Sequence, residues 1–244
     1  MLLGGLLGAI LGSFIGALCL RWPRGVSVVG GRSHCDGCGK ILTAWELIPL
    51  ISFVIQRGRC RTCGALVDKT QLAAELAGGA IGIGAFGFLP LVTGAVLAIM
   101  SWILLPLILL DYRHYWLPDR LIISLAAAGP ICGLLLRSDY NLMVQLLAAA
   151  AGFAAFELLR RGFRLTRGKD GMGAGDPKLF GALALWLPPL SLPYLLLGAS
   201  MLGLLLFSIR NKKADDSEQR IPLGSCLGIT AILIFFVNQR DVGF

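Results

Sequence analysis

The feature that most limits what this chain can become is a succession of long apolar runs separated by short polar stretches. A helix needs about 20 apolar residues to cross the hydrocarbon core of a bilayer. Eight stretches are candidates, approximately 2–20, 72–89, 91–110, 121–136, 141–159, 177–188, 190–209 and 221–237. The sixth is short and ends at Pro188-Pro189. Composition points the same way, with 56% of residues hydrophobic and only 15% charged, where soluble domains carry roughly 25% charged residues. The expected fold class is an all-α polytopic membrane protein with about eight transmembrane helices.

A formal net charge of +8 would suggest a nucleic-acid partner in a soluble domain. Here the Lys and Arg residues collect in loops 21–71, 160–176 and 210–220, including Lys169, Lys212, Lys213 and Arg220. The positive-inside rule assigns all three loops to the cytoplasm, so the charge encodes topology and no nucleic acid is expected. The connections near Leu89-Pro90, Arg137 to Tyr140 and Pro188-Pro189 are short and nearly uncharged, which suits the opposite side. Alternation then makes loop 111–120 cytoplasmic and puts Asp111, Asp119 and Asp176 on one face. Arg21 and Arg24 follow the first apolar run instead of preceding it, which fits an uncleaved span with its N-terminus outside.

Gly4, Gly8, Gly12 and Gly16 recur every four residues along the first run, and Gly78, Gly79, Gly82, Gly84 and Gly87 crowd the second. Such stripes let two helices approach closely and carry no chemistry of their own.

Cys35-x-x-Cys38 and Cys60-x-x-Cys63 form two short pairs separated by 21 residues, with Gly37, Gly39 and Gly64 beside them. Each pair can bite one metal through two sulfurs, so the spacing reads as a structural Cys₄ Zn2+ site with no open coordination position. Two disulfides are the alternative, and a reducing cytoplasm disfavours them. His34 reads as a solvated loop residue. The run Leu47 to Ile55 is too short to span, and either packs under the knuckles or lies at the membrane interface. Cys19, Cys132 and Cys226 sit within spans as small packing residues.

Ionisable groups at the ends of membrane spans are functional candidates by default. Asp176 stands in Gly171-Met172-Gly173-Ala174-Gly175-Asp176-Pro177-Lys178 at the start of an apolar helix. Its plain structural reading is an N-cap followed by proline at the first helical position. Asp119 after Pro118 is likewise an acid in a first helical turn. Asp111 has no such reading, because the macrodipole at a helix C-terminus opposes negative charge. Asp111 and Asp176 together read as an aspartic-protease dyad. The helix C-terminus and poor solvation favour a protonated Asp111, and the helix N-terminus an ionised Asp176, although a coupled pair permits the reverse. Gly171, Gly173 and Gly175 permit positive φ and close approach of backbone to a bound peptide, or make a flexible turn. Lys178 either holds Asp176 ionised or reaches the lipid headgroups. No strand precedes this loop and no Gly-Lys-Ser/Thr follows, which excludes a phosphate-binding loop. The insert Asp215-Asp216-Ser217-Glu218 reads as a solvated loop.

The Gly173-Ala174-Gly175-Asp176 block and the segment Leu110 to Asp119 resemble those of the bacterial type IV prepilin peptidases, whose hallmark is Gly-x-Gly-Asp. The resemblance extends to Gly12-Ser13-Phe14, the four cysteines, Glu46-Leu47-Ile48-Pro49, Arg57-Gly58-Arg59-Cys60-Arg61, Glu75 and Ile221-Pro222-Leu223-Gly224. It implies that Asp111 and Asp176 are catalytic and that Asp119 supports them. It further implies removal of the basic leader from type IV prepilins or type II secretion pseudopilins at the cytoplasmic face of the bacterial inner membrane. In many members S-adenosylmethionine then methylates the new N-terminus. Gly16 stands where the family commonly has Asn, and Thr70-Gln71-Leu72-Ala73-Ala74-Glu75 lacks the usual Tyr-Pro. Both departures lie in the part linked to methylation.

The expected partition is a first transmembrane helix at 1–20, a zinc-binding loop domain at 21–71 and a transmembrane peptidase domain at 72–244, with prepilins and membrane lipid as partners. Two other classes fit parts of the pattern: a non-catalytic assembly protein using the zinc loop to dock a partner, and an ion-coupled transporter using Asp111 as its proton site.

Overall fold

The computed structural model describes residues 1–28, 30, 32–136, 141–168, 171–211 and 221–241. The connection at 137–140, Lys169, Lys212, Lys213, Arg220 and the acidic insert 215–218 lie outside the described residues. Among the described residues the α-helices are α1 (Leu2–Arg21), α2 (Ile51–Ile55), α3 (Lys69–Phe88), α4 (Leu91–His114), α5 (Asp119–Leu136), α6 (Leu142–Arg167), α7 (Asp176–Ala184), α8 (Leu192–Asn211) and α9 (Leu223–Asp241). The all-α expectation is met. The chain forms two compact units, Met1–Ala98 and Ile99–Phe244.

Six helices, α1, α3, α4, α5, α6 and α8, are long and apolar enough to cross a membrane, and α9 has a shorter apolar stretch, Leu223–Gln239. The sixth run differs from the expected span. The α-helix there has only nine residues, Asp176–Ala184. At 1.5 Å per residue they advance about 14 Å, less than half of a hydrocarbon core of about 30 Å.

Helix α7 ends where the proline pair forces it to. The amides of Leu185 and Trp186 fall back on the carbonyls of Ala182 and Leu183, and Pro188-Pro189 cannot continue the ladder. From Asp176 to Leu187 every residue except Lys178 is buried, with α5, α6 and α9 packed around the helix. A sequence that is apolar all round is what an enclosed helix requires. Its irregular C-terminal end is tolerated because protein groups satisfy the backbone. In the amide orientation that its surroundings dictate, Gln145 donates to the carbonyls of Ala184 at 2.7 Å and Leu187 at 3.1 Å. The Trp186 indole donates to Leu125 O at 2.8 Å. Phe180 stacks on Phe156 of α6 with ring centroids 4.5 Å apart.

Helix α9 is bonded at both ends. Ser225 near its start meets Asp111 of α4, and Asn238 near its end donates to Ser191 Oγ at 3.0 Å. Ser225 and Asn238 are about 20 Å apart along a helix. Residues 176–191 therefore carry the chain along much of α9, partly as helix and partly as buried irregular backbone.

In the first unit α1 and α3 run antiparallel with their glycine stripes face to face. A Cβ at Gly8 would run into the Gly78 carbonyl, one at Gly78 into the Gly8 carbonyl, and one at Gly82 into the Gly4 carbonyl. The stripes thus do what the sequence suggested. Near the end of this seam Glu75 is buried, accepting Leu50 N–H at 2.8 Å and Gln71 Nε2 at 3.0 Å. The same Gln71 nitrogen reaches the Ser13 carbonyl and hydroxyl, both at 2.9 Å. Leu50 takes a positive φ of 63° to make its bond.

Gly78→Ala is expected to destabilise the protein by about 1–3 kcal/mol, because backbone and not a flexible side chain opposes the new methyl. Gly84→Ala, where nothing lies within 4 Å, is expected to be neutral or to stabilise by up to about 1 kcal/mol. Thermal unfolding in detergent measures both, and equal midpoints for the two variants would contradict the seam.

Candidate active site and metal centre

Asp111 lies inside the last turn of α4, since the helix runs on to His114. Tyr115 ends it by adopting a φ of 52° and returning its N–H to the Asp111 carbonyl at 2.9 Å. The chain then extends through Leu117 to Pro118, whose carbonyl accepts the first amides of α5. The Asp111 side chain is buried. Its Oδ2 accepts the Ser225 amide at 2.6 Å and the Ser225 hydroxyl at 2.9 Å.

Asp176 is also buried, and it does not cap its helix. Gly175 occupies the N-cap position, Asp176 is the first helical residue, and its Oδ2 turns back to accept Gly173 N–H at 3.0 Å. Burial first, and the nearby Asp111 carboxylate second, push the Asp176 carboxyl up to about 7, with the Gly173 bond opposing them. This overturns the expectation that the helix N-terminus would keep Asp176 low. Desolvation and a like charge outweigh one helix end and one amide.

The glycines act by closeness alone, since none of Gly171, Gly173 and Gly175 has positive φ. A Cβ at Gly173 would sit 3.1 Å from Asp176 Oδ2, and one at Gly175 would sit 2.7 Å from Leu117 Cβ. A Cβ at Gly224 would lie 2.9 Å from Leu117 Cδ1 and 3.1 Å from Asp111 Oδ2. Leu117 is thus wedged between the residue before Asp176 and the residue before Ser225, where it joins three segments remote in sequence. Lys178 pairs with Asp119 at 2.7 Å, not with Asp176. Both partners are about half exposed, so the pair marks the rim of the site.

Leu117 belonged to the recognised segment Leu110 to Asp119 without a role of its own, and Ser225 was not singled out from the sequence. Gly224 belonged to a recognised segment, but nothing in the pattern of α9 tells which of its residues faces Asp111.

The four cysteines of the first unit converge, with all Sγ atoms within 4.8 Å of one another. Cys35 and Cys63 stand 3.8 Å apart, which matches the edge of a tetrahedron built on Zn–S bonds, about 3.8 Å for bonds of about 2.3 Å. The two knuckles repeat each other at an offset of 25 residues. Cys35 N–H bonds Lys40 O as Cys60 N–H bonds Ala65 O, and Gly39 N–H bonds Cys35 O as Gly64 N–H bonds Cys60 O. Gly39 and Gly64 both have positive φ, at 71° and 72°. Within the cluster the Cys63 and Thr62 amides hold the Cys60 thiol down at about 6, while at Cys63, against the bond from the Ala65 amide, burial and the neighbouring thiols push the thiol up to about 11. The cluster could hold a metal ion, and His34 is not part of it.

Residues 6–87 match the bacterial peptidase A24 N-terminal domain, and residues 98–208 match the type IV leader peptidase family. The chain is 30% identical over 257 residues to a type 4 prepilin-like proteins leader peptide-processing enzyme of Escherichia coli O78:H11, covering 95% of this chain and 91% of the relative. It is 37% identical over 210 residues to a prepilin leader peptidase/N-methyltransferase of Burkholderia pseudomallei, covering 84% and 67%. To the protein of that name from Dichelobacter nodosus it is 35% identical over 213 residues, covering 85% and 72%. No solved structure matches the chain.

Proposed function

This chain belongs to the type IV leader peptidase family, and on that premise we propose that Asp111 and Asp176 are the catalytic pair that removes the leader peptide of prepilin-like substrates. The observation that carries the reading is that two aspartates 65 positions apart are buried at one place, near enough for the charge of one to act on the other.

The division of labour follows from the surroundings of each carboxyl. Asp176, raised to about 7, holds the proton the pair shares at neutral pH. Asp111, with two donors on one oxygen, carries the charge. Asp111 takes a proton from water as the hydroxide oxygen attacks the scissile carbonyl, and Asp176 delivers its proton to the carbonyl oxygen. The resulting gem-diol collapses as one of its hydroxyl protons returns to Asp176 and the Asp111 proton passes to the leaving nitrogen. The C–N bond breaks, and the pair is restored with one shared proton. Asp119 and Lys178 stand at the rim, where the substrate enters.

The helix order supports a common face for the two aspartates. Two long apolar helices, α5 and α6, lie between Asp111 and Asp176, so the chain crosses and returns. The Lys and Arg bias of the loops puts that face in the cytoplasm, with the protein in the bacterial inner membrane and its N-terminus outside. Lipid is the partner of the outward apolar side chains, among them Leu134, Leu135, Leu158 and Leu159, all exposed in the isolated chain. Substrates are prepilins or pseudopilins whose own apolar helix reaches the site from the bilayer.

The loop domain at 21–71 carries zinc on Cys35, Cys38, Cys60 and Cys63, where four thiolates close the coordination sphere and leave the metal a structural role. The relatives' names add N-methylation, with S-adenosylmethionine as the implied donor. In the first unit the buried Glu75 is bonded to Leu50 and Gln71, and the part-buried Gln71 to Ser13. Mass spectrometry of the cleaved product tests the second activity directly, since methylation leaves it one methyl group heavier.

Asp111→Asn and Asp176→Asn are each expected to lower cleavage of a co-expressed prepilin at least about a thousandfold, the scale for one member of a catalytic unit. Near-normal processing by either would end the reading. Because the reaction needs Asp176 protonated, kcat/KM is expected to fall as pH rises through about 7. A profile flat well above that value would assign the proton elsewhere. Purified protein is expected to hold one zinc per chain by elemental analysis and to lose it in Cys60→Ser. Retention of metal by that variant would place the ion elsewhere.

A further inference from the structure

Ser225 is the third residue of α9, after Leu223 and Gly224, and it touches Asp111 with both its donors. We propose that Ser225 is a positioning residue for Asp111, pinning one carboxylate oxygen so that the other is the one that exchanges a proton with water. The proposal rests on the reading of Asp111 and Asp176 as the catalytic pair and adds a third arm to it.

The amide of Ser225 lies 2.6 Å from Oδ2 and its hydroxyl 2.9 Å from the same atom. An amide N–H can only donate, so Oδ2 remains an acceptor throughout the reaction. A proton arriving on Asp111 goes to Oδ1, which has no protein donor among the described residues. The Ser225 hydroxyl is itself placed, because Oγ also lies 2.9 Å from the carbonyl of Ile108, three residues before Asp111 in α4. Its single proton thus has two acceptors at equal distance. When Asp111 is ionised, the charge-assisted bond to Oδ2 is the stronger of the two. When Oδ1 has taken the proton from water, that advantage disappears and Ile108 competes. Ser225 therefore stabilises the charged Asp111 more than the neutral one, with no movement of the backbone.

Gly224 is what lets α9 come this near. A side chain there would meet Asp111 Cγ and Oδ2, both at 3.1 Å, and Leu117 at 2.9 Å. Glycine supplies the approach and serine the donors, and Leu117 fixes the distance between α9 and the turn before Asp176. Among the described residues Asp176 has no equivalent, since its Oδ2 has the single Gly173 amide. The asymmetry between the two carboxyls is built from these unequal donor sets.

The test is steady-state cleavage by the full-length protein in detergent, with a synthetic prepilin carrying its basic leader and first apolar residues. Ser225→Ala keeps the amide and loses the hydroxyl. It is expected to lower kcat about tenfold, because without that bond the shared proton passes to Asp111 and the productive form, with Asp111 ionised and Asp176 protonated, is depleted by the equivalent of one hydrogen bond to a charged group, with KM changed by less than about twofold. Ser225→Thr restores the hydroxyl and is expected to recover most of kcat. A wild-type kcat for Ser225→Ala would overturn the proposal. So would a loss confined to KM, or a threonine variant that folds with the wild-type unfolding midpoint yet cleaves no better than alanine. Wild-type cleavage and its abolition by Asp176→Asn are read in the same assay, so failure of the Ser225 prediction is distinct from failure of the dyad.

Discussion

Two carboxyl groups held together in a poorly solvated place resist being charged at the same time, and the second unit of this protein is arranged around that conflict. Repulsion and desolvation act on both, and unequal hydrogen bonding decides which of them keeps the proton. Among the described residues Asp111 is reached by an amide and a hydroxyl, Asp176 by one amide. On the proposed reading, the imbalance converts an electrostatic conflict into a division between base and acid. Removing the conflict by moving the carboxyls apart would remove the acid as well.

Holding them together falls to elements that look unimportant in isolation. Leu117 belongs to a four-residue connection, yet it touches the glycine before Asp176 and the glycine before Ser225. Helix α7 is too short to cross a bilayer, but its burial between α5, α6 and α9 fixes the position of its first residue, Asp176. Its unfinished C-terminal end is closed by Gln145 and tied to α5 by the bond from the Trp186 indole to the Leu125 carbonyl. A full-length span in its place would present a face to lipid. The short enclosed helix instead keeps the aspartate in protein and out of hydrocarbon, where an unpaired charge is most costly.

Much of this was legible in the residues themselves. Acids at the ends of apolar runs, glycines at intervals of four and paired cysteines each have few physical uses, and the structure buries Asp111 and Asp176 at one place, packs Gly4 and Gly8 against Gly82 and Gly78, and brings the four cysteines together. What the sequence hid depends on contacts across large separations. Lys178 sits two residues from Asp176, and proximity along the chain suggested that they pair. The helix directs it instead to Asp119, 59 residues away. The glycines before Asp176 suggested unusual backbone angles, but the need they meet is room for Leu117 and for the Asp176 carboxylate itself. Ser225 is one of many small residues in an apolar helix, and only the docking of α9 on α4 distinguishes it. The sixth apolar run has the composition of a span because a helix buried in protein and one buried in lipid are apolar for the same reason.

The central claim, that one proton is shared because each carboxyl feels the other, is most directly tested by infrared titration of the Asp176 carboxyl band in Asp111→Asn protein. With the neighbouring charge gone, burial alone raises Asp176, and the account predicts a midpoint clearly below the value of about 7 that applies with Asp111 present. An unchanged midpoint would mean that the two groups titrate independently, and the site would not be a dyad.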